Sequence, residues 1–396
     1  MNPPLFFQLA AALWIGSYGL SFAQPTPLPA KWVKFRPLIE KAAERYQQPY
    51  CLDCKPLALP ELFRQEAANG LGHAVELSET PLDFVKREVT LQNPFTQAEE
   101  KGLPLAYSVW YQNRLVTLFE PGQFQCITLP DFTRDLALES RLNSKNGFKT
   151  YWLLENRLVA RKQGRYWVFN DSLARWEDWK GFNPLPRIEP PKTRSETPFH
   201  KIFEDERYLV FSECHGEFGG NLFFCDKTTQ HITVAPATCA VTVRREGPEY
   251  VVSESLGHMM GSSALWHVRY PEHLSTFLKR APPFQAGHFV RMGTTQLQAF
   301  FKSFGMLIWG SFPYQNRHLH LVYENLLAEL RGNRVQVVEQ VPQIAFAHNP
   351  ICFTYPDGTT LINLDTYGKG SYREQQVVVI QENRFTVLTW KGSMPE

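Results

Sequence analysis

The sequence predicts an all-β fold assembled from repeated antiparallel units, and three observations carry that expectation. Of 396 residues, 14% are aromatic, with ten Trp and fifteen Tyr, and 29 prolines and 24 glycines punctuate the chain at short intervals. Aromatic and β-branched runs bounded by such breakers read as short strands and turns. The second observation is the scarcity of long helical periodicity. The third is internal self-similarity, which sets the architecture.

Two segments share one plan. "VWYQNRLVTLFEPGQFQCITL" (Val109 to Leu129) and "YWLLENRLVARKQGRYWVFN" (Tyr151 to Asn170) each give an aromatic strand, an Asn turn, an Arg-Leu-Val strand, a Gly turn and a third strand. Asn113 and Asn156 are 43 residues apart. "LHLVYENLLAELRGNRVQVVEQV" (Leu319 to Val341) repeats the plan, and "VVVIQENRFTVLTW" (Val377 to Trp390) repeats its first half. Asn suits the positive φ of a tight hairpin, so each copy predicts a meander.

A second set is related differently. "RYLVFSECHGEFGGNLFFCDK" from Arg207 and "EYVVSESLGHMMGSSALWHVR" from Glu249 each place a β-branched strand, then Ser-Glu, then a Gly loop and an apolar strand; Tyr208 and Tyr250 lie 42 residues apart. "GTTLINLDTYGKGSYREQQVVVI" echoes it with Asp365 in the Glu place. A period of about 40 to 45 residues holding several short strands is what a propeller blade looks like in sequence. On these segments the chain resembles β-propeller repeat proteins and is similar to uncharacterised bacterial exported propellers. That resemblance implies a ring of about six blades, with five to seven compatible, and carries no activity with it. Units are expected at 104–147, 148–203, 204–247, 248–283, 284–343 and 344–396, which makes 104–396 the propeller.

Residues 24–103 form a different N-terminal extension. "KWVKFRPLIEKAAERY" permits a short amphipathic helix with Phe35, Ile39, Ala42 and Ala43 on one side, and Pro60 to Ala68 permits another. One strand from this extension is expected to help close the ring. The Pro-rich stretch Gly181 to Pro198 reads as a surface linker.

Residues 1–23 read as a signal peptide: Leu5 to Phe22 is apolar, and Ser21-Phe22-Ala23 is a small-residue cleavage site before Gln24, although no Lys or Arg precedes the run. A secreted or periplasmic protein is the expectation, with no stable membrane span after cleavage. Seven cysteines fit an oxidising compartment. Cys51 and Cys54, between Pro49 and Pro56, are expected to form a loop disulfide. Cys225 and Cys239 flank a hairpin-like segment and are expected to face one another, while Cys126 sits in an alternating apolar strand as a buried free thiol.

With 41 basic and 39 acidic side chains, and no basic run, nucleic acid is disfavoured as a partner. The expected partner is a glycan, peptide or protein. The candidate chemistry lies in the Ser-Glu-Gly loops, where radial repetition would bring Glu213, Glu217, Glu254 and Asp365 toward one mouth of the channel as candidate catalytic carboxylates, with His215, Asn221, His258 and Tyr367 as candidate ligand-binding groups. Paired carboxylates suit acid/base cleavage of a glycosidic bond. The same oxygens suit a divalent cation such as calcium, although no cofactor is required. His318 and His320 share one strand face, expected to be exposed. No nucleophile elbow, P-loop, zinc-protease helix or dinucleotide fingerprint occurs. The leading expectation is a binding or scaffold propeller, and the alternative is a carbohydrate-active hydrolase or lyase.

Overall fold

A computed structural model describes residues 30–37, 57–58, 74–95, 104–181, 184, 199–257, 261–277, 298–323, 325–332, 334–345, 347, 349–367 and 372–393. Six sheets, each built on antiparallel strands mostly consecutive in sequence, form the blades of a six-bladed β-propeller. Blade 1 holds Val109–Tyr111, Arg114–Phe119 and Gln123–Ile127. Blade 2 holds Thr150–Leu154, Arg157–Lys162, Arg165–Asn170 and Arg175–Asp178. Blade 3 runs through His200–Glu204, Tyr208–Cys214, Gly220–Asp226 and Ile232–Pro236. Blade 4 contains Ala240–Glu246, Glu249–Leu256, Ser262–Val268 and Gln298–Phe304. Blade 5 contains Ile308–Tyr314, Arg317–Val322, Leu326–Arg331 and Arg334–Gln340. Blade 6 closes the ring with Ile351–Thr354, Thr360–Tyr367, Tyr372–Gln381 and Arg384–Ser393.

The expected Asn turns form where the residue type demands them. Gln112 and Asn113 have φ of 49° and 58°, and Glu155 and Asn156 have 49° and 56°, the paired left-handed residues of a twist-compatible hairpin. The unit boundaries, however, fall one strand off. Ala240–Glu246 was grouped with blade 3 but pairs with Glu249–Leu256 of blade 4, and Gln298–Phe304 was grouped with blade 5 but pairs with Ser262–Val268. The reason is that the Asn hairpin marks a turn, not a blade: it joins strands one and two in blades 1 and 2, strands two and three in blade 5, and strands three and four in blade 6. The Ser-Glu plan keeps register, joining strands two and three in blades 3, 4 and 6.

Blade 1 lacks a fourth strand among the described residues and carries a helix, Leu136–Leu142, in its place. Asp135 caps it by accepting from the Leu138 amide, and Leu138 and Leu142 bury against the third strand. The N-terminal extension supplies more than one strand. Ala74–Leu77 adds in parallel to the outer edge of blade 5 and Val85–Leu91 to that of blade 6, covering edges that would otherwise present free backbone groups. The first expected helix is a 3₁₀ turn at Ala30–Phe35 that buries Phe35; Ile39, Ala42, Ala43 and the segment Pro60 to Ala68 lie outside the described residues. Most of the Pro-rich linker and the whole signal segment lie outside them as well.

Aromatic and aliphatic side chains from neighbouring blades fill the interfaces, as the alternation of strand faces requires. The largest cluster joins blades 6, 1 and 2 through Trp110, Phe119, Phe124, Tyr151, Trp176 and Trp390, with Cys126 buried and free inside it. Polar bonds finish the closure: the Ser108 amide donates to Asn363 Oδ1 at 2.8 Å, Asn363 Nδ2 returns a bond to Ser108 O at 3.1 Å, and the Trp110 amide donates to the Tyr355 hydroxyl at 3.0 Å.

Candidate functional site

Within each blade the first strand lies nearest the ring axis, and in blades 3 to 6 these strands touch one another across it. The open space falls on the remaining side. A cleft of about 640 Å³ lies among the first strands of blades 1, 2, 3 and 6, a volume suited to a small ligand. Its walls come from where those strands begin: Tyr107 to Val109, Lys149 to Leu153, Phe199 to Lys201, and Asn349 to Tyr355. Because neighbouring strands are antiparallel, the start of a first strand lies beside the end of a second. His200 therefore pairs in register with Ser212, and Thr150 with Arg161. The cleft opens on the same face as the Ser-Glu-Gly loops, one strand closer to the axis.

Several lining groups are committed to the scaffold. Trp152 Nε1 donates to Phe199 O at 3.0 Å, Tyr151 Oη to Val116 O at 2.6 Å, and Tyr107 Oη to Asn349 O. Others are not. His200 Nε2 and Asn349 Oδ1 are buried with no hydrogen-bond partner among the described residues, and Ser212 Oγ, across from His200, is in the same condition. Unpaired buried polar atoms are costly, and beside a cavity they mark positions a ligand or ordered water would satisfy. The His200 ring packs against Tyr107 with centroids 4.3 Å apart. Burial pushes its pKa down to about 3, so it stands there as a neutral imidazole, able to donate and accept. Lys201 Nζ sits 4.6 Å from the centre of the Phe353 ring and 2.7 Å from Glu204. Burial lowers the Lys201 pKa, opposed by Glu204.

The residues expected from sequence stand elsewhere. Glu213 is fully buried, with Oε2 accepting from Asn221 Nδ2 at 2.9 Å and Oε1 lying 3.0 Å from His215 Nε2. Glu254 is buried as well: Oε1 accepts from the Thr238 amide and Oε2 from Trp266 Nε1 at 2.7 Å. Glu254 holds the connector between blades 3 and 4 through Thr238, and Glu213 ties the end of the second strand of blade 3 to the start of the third. Gly220 lies against the same connector, since a Cβ there would meet Glu213 O at 2.2 Å and Ala237 O at 2.7 Å. Glu217 is exposed on a single 3₁₀ turn, Gly216–Phe218. None of Glu213, His215, Glu217, Asn221 and Glu254 lines the cleft. Asp365 and Tyr367 lie in the second strand of blade 6, opposite Gln375 and Arg373. His258, Cys51 and Cys54 fall outside the described residues.

Two expectations are corrected. Cys239 bonds to Cys214, with Cα atoms 4.5 Å apart, and not to Cys225, which is buried. Cys225 points into the packing between blades 2 and 3, whereas Cys239, at φ 55° in the connector, meets the end of the second strand of blade 3. The His318 and His320 face is not exposed. His320 is buried with Nδ1 2.8 Å from Ser311 Oγ, the two rings lie 4.9 Å apart, and burial together with nearby Arg244 lowers both pKa values, that of His320 to about 3. Among the described residues no group of three or more His, Cys, Asp or Glu is placed to hold a metal ion.

Sequence reasoning missed Tyr107, His200, Lys201 and Asn349. One signal for His200 was available: once the Ser212 strand is assigned, its antiparallel neighbour must run back through "FHKIF" and set His200 opposite Ser212. Tyr107 and Asn349 carry no such signal, because they precede their strands in irregular chain.

No protein-family model matches the chain, and no curated protein matches it. Solved structures do. The chain is similar to the CNH domain of AfRom2 (10% identity, 78% of this chain and 98% of that one, TM-score 0.34) and to the Neurospora crassa Pan2 WD40 domain (7% identity, 81% and 88%, TM-score 0.30). It is also similar to BBS1N, solved in complex with ARL6DN (8% identity, 80% and 98%, TM-score 0.35).

Proposed function

We propose that this propeller is a binding module that receives a glycan in the cleft at its axis. The observation that carries this reading is the composition of the cleft: the aromatic side chains Tyr107, Trp152 and Phe353 in its lining beside His200 Nε2 and Asn349 Oδ1, which have no hydrogen-bond partner among the described residues. Apolar faces with a few convergent polar groups are what orient a small ligand, and a sugar ring presents CH faces and hydroxyls to match. The hydrolase alternative would draw on paired carboxylates in an open site, and among the described residues no aspartate or glutamate lines this cleft. Its test is titration of neutral and charged oligosaccharides, followed by tryptophan fluorescence, into the wild type and a Tyr107→Ala variant of matched melting temperature. Saturable binding lost in the variant supports the reading; binding that survives the substitution rejects the cleft as the site.

We further propose that the mature chain begins near Gln24 and works outside the cytoplasm, a reading supported by the apolar N-terminal run and by the Cys214–Cys239 disulfide. No helix among the described residues is long and apolar enough to cross a membrane. N-terminal sequencing of the native protein should begin near Gln24 and peptide mapping should find Cys51 bonded to Cys54. Recovery of Met1 in a soluble cytosolic product refutes export, and free alkylation of both thiols refutes the bridge.

A further inference from the structure

The charge around the cleft departs from that of the chain. Overall, 41 basic side chains face 39 acidic ones, yet among the described residues the cleft is lined by Lys149, Arg161 and Lys201 and by no carboxylate. The nearest acids do not cancel these cations evenly. Glu204 lies 2.7 Å from Lys201 Nζ and 3.0 Å from Lys227 Nζ, so one carboxylate serves two ammonium groups and the cluster stays positive. Lys149 reaches Glu120 at 2.9 Å with 67% of its side chain exposed, and an ion pair that exposed contributes little and exchanges readily. Arg161 stands directly across from Thr150 and so lies on the blade 3 side of blade 2, while Lys149, one residue before Thr150, lies on the blade 1 side beside Glu120; both line the cleft. Positive groups around a concave surface with apolar walls focus a field that favours an anion.

We infer that the ligand of this cleft is an anionic saccharide, its carboxylates or sulfate esters held at the rim by Lys149 on one side of blade 2 and Arg161 on the other while a sugar ring packs on the aromatic wall. This inference rests on the binding reading above and adds the charge and its location. His200 stays neutral by burial and contributes hydrogen bonding, so the preference for negative charge comes from the lysine and arginine side chains and persists without a step near the usual histidine range.

The test is isothermal titration of the full chain with three trisaccharides matched in linkage: a galacturonate, its sulfated counterpart and the neutral galactose form. At low salt one or both anionic sugars should bind about tenfold or more tightly than the neutral one, the size expected for charge-assisted hydrogen bonds. That margin should shrink at high salt, as screening of a rim contact requires, and should collapse in the Lys149→Gln and Arg161→Gln double variant. The salt arm uses the wild type alone, so a folding defect in the variant leaves the test intact. Which anionic sugar wins separates carboxylate from sulfate. Equal affinity for neutral and anionic sugars overturns the charge assignment and leaves the glycan cleft standing. A margin unchanged by salt or by the double variant overturns the placement at the rim, and failure of all three sugars to bind overturns both readings.

Discussion

Two neighbouring regions on one face of the ring use buried polar side chains in opposite ways. Around the connector from Ala237 to Cys239, Glu213 meets Asn221 and His215, Glu254 meets Thr238 and Trp266, and Cys214 is bonded to Cys239. One strand nearer the axis, His200 Nε2 and Asn349 Oδ1 have no hydrogen-bond partner among the described residues, and both line an open cleft. A carboxylate surrounded by donors is part of the scaffold, however chemical its sequence motif looks. Polar atoms left unpaired beside a cavity are the ones available to a ligand.

The contrast breaks most visibly at Glu213. Replacing it by Ala removes the acceptor of the Asn221 side-chain amide and the carboxylate oxygen 3.0 Å from His215 in a fully buried setting, and should cost about 3 kcal/mol or more of stability. Chemical denaturation measures this directly. A variant as stable as wild type would remove Glu213 from the scaffold.

An intermediate effect comes from the buried histidines. In the unfolded chain their imidazoles protonate near 6.5, whereas in the fold burial holds His200 and His320 at about 3. The unfolded state therefore binds more protons as pH falls, so the stabilisation these groups give is complete above 6.5 and is lost progressively toward 3. Between pH 7 and 5, where ordinary carboxylates stay ionised, stability should drop by about 2 kcal/mol per buried imidazole. The drop should be smaller in a His320→Asn variant. A urea midpoint that does not move over this interval contradicts the burial of both rings.

Least should happen at Glu217. Exposed on its 3₁₀ turn and away from the cleft, it should tolerate Glu217→Gln with a stability change within about 0.5 kcal/mol and unchanged saccharide affinity. Loss of affinity in that variant would move the site to the Ser-Glu-Gly loops.

The same contrast explains what was legible in the sequence. Strand alternation and turn chemistry are local, so the all-β character, the left-handed Asn113 and Asn156 and the buried thiol of Cys126 could be read directly. Blade register was not local. The Asn hairpin serves any tight turn and recurs at three different places within a blade, whereas the Ser-Glu plan holds one place, late in a second strand, where Glu213 accepts from Asn221 of the next strand and Glu254 from Trp266 of the next strand and from the Thr238 amide. That structural duty is also why the motif misled as to chemistry. It marked the face of the ring on which the cleft opens and missed the cleft itself, since Tyr107, Lys149, His200 and Asn349 come from four separate stretches that only ring closure brings together. The Cys214–Cys239 pairing was illegible for a similar reason: it depends on where the connector crosses, which no spacing between cysteines reveals.

The central claim is that the axial cleft, and not the neighbouring loop, is the recognition site, and amide hydrogen exchange with and without the galacturonate trisaccharide tests it most directly. The account predicts slowed exchange at Tyr107 to Val109, Lys149 to Leu153 and Phe199 to Lys201, with His215 to Gly219 unchanged. Protection confined to His215 to Gly219 or to the outer strands, or no protection anywhere, would contradict it.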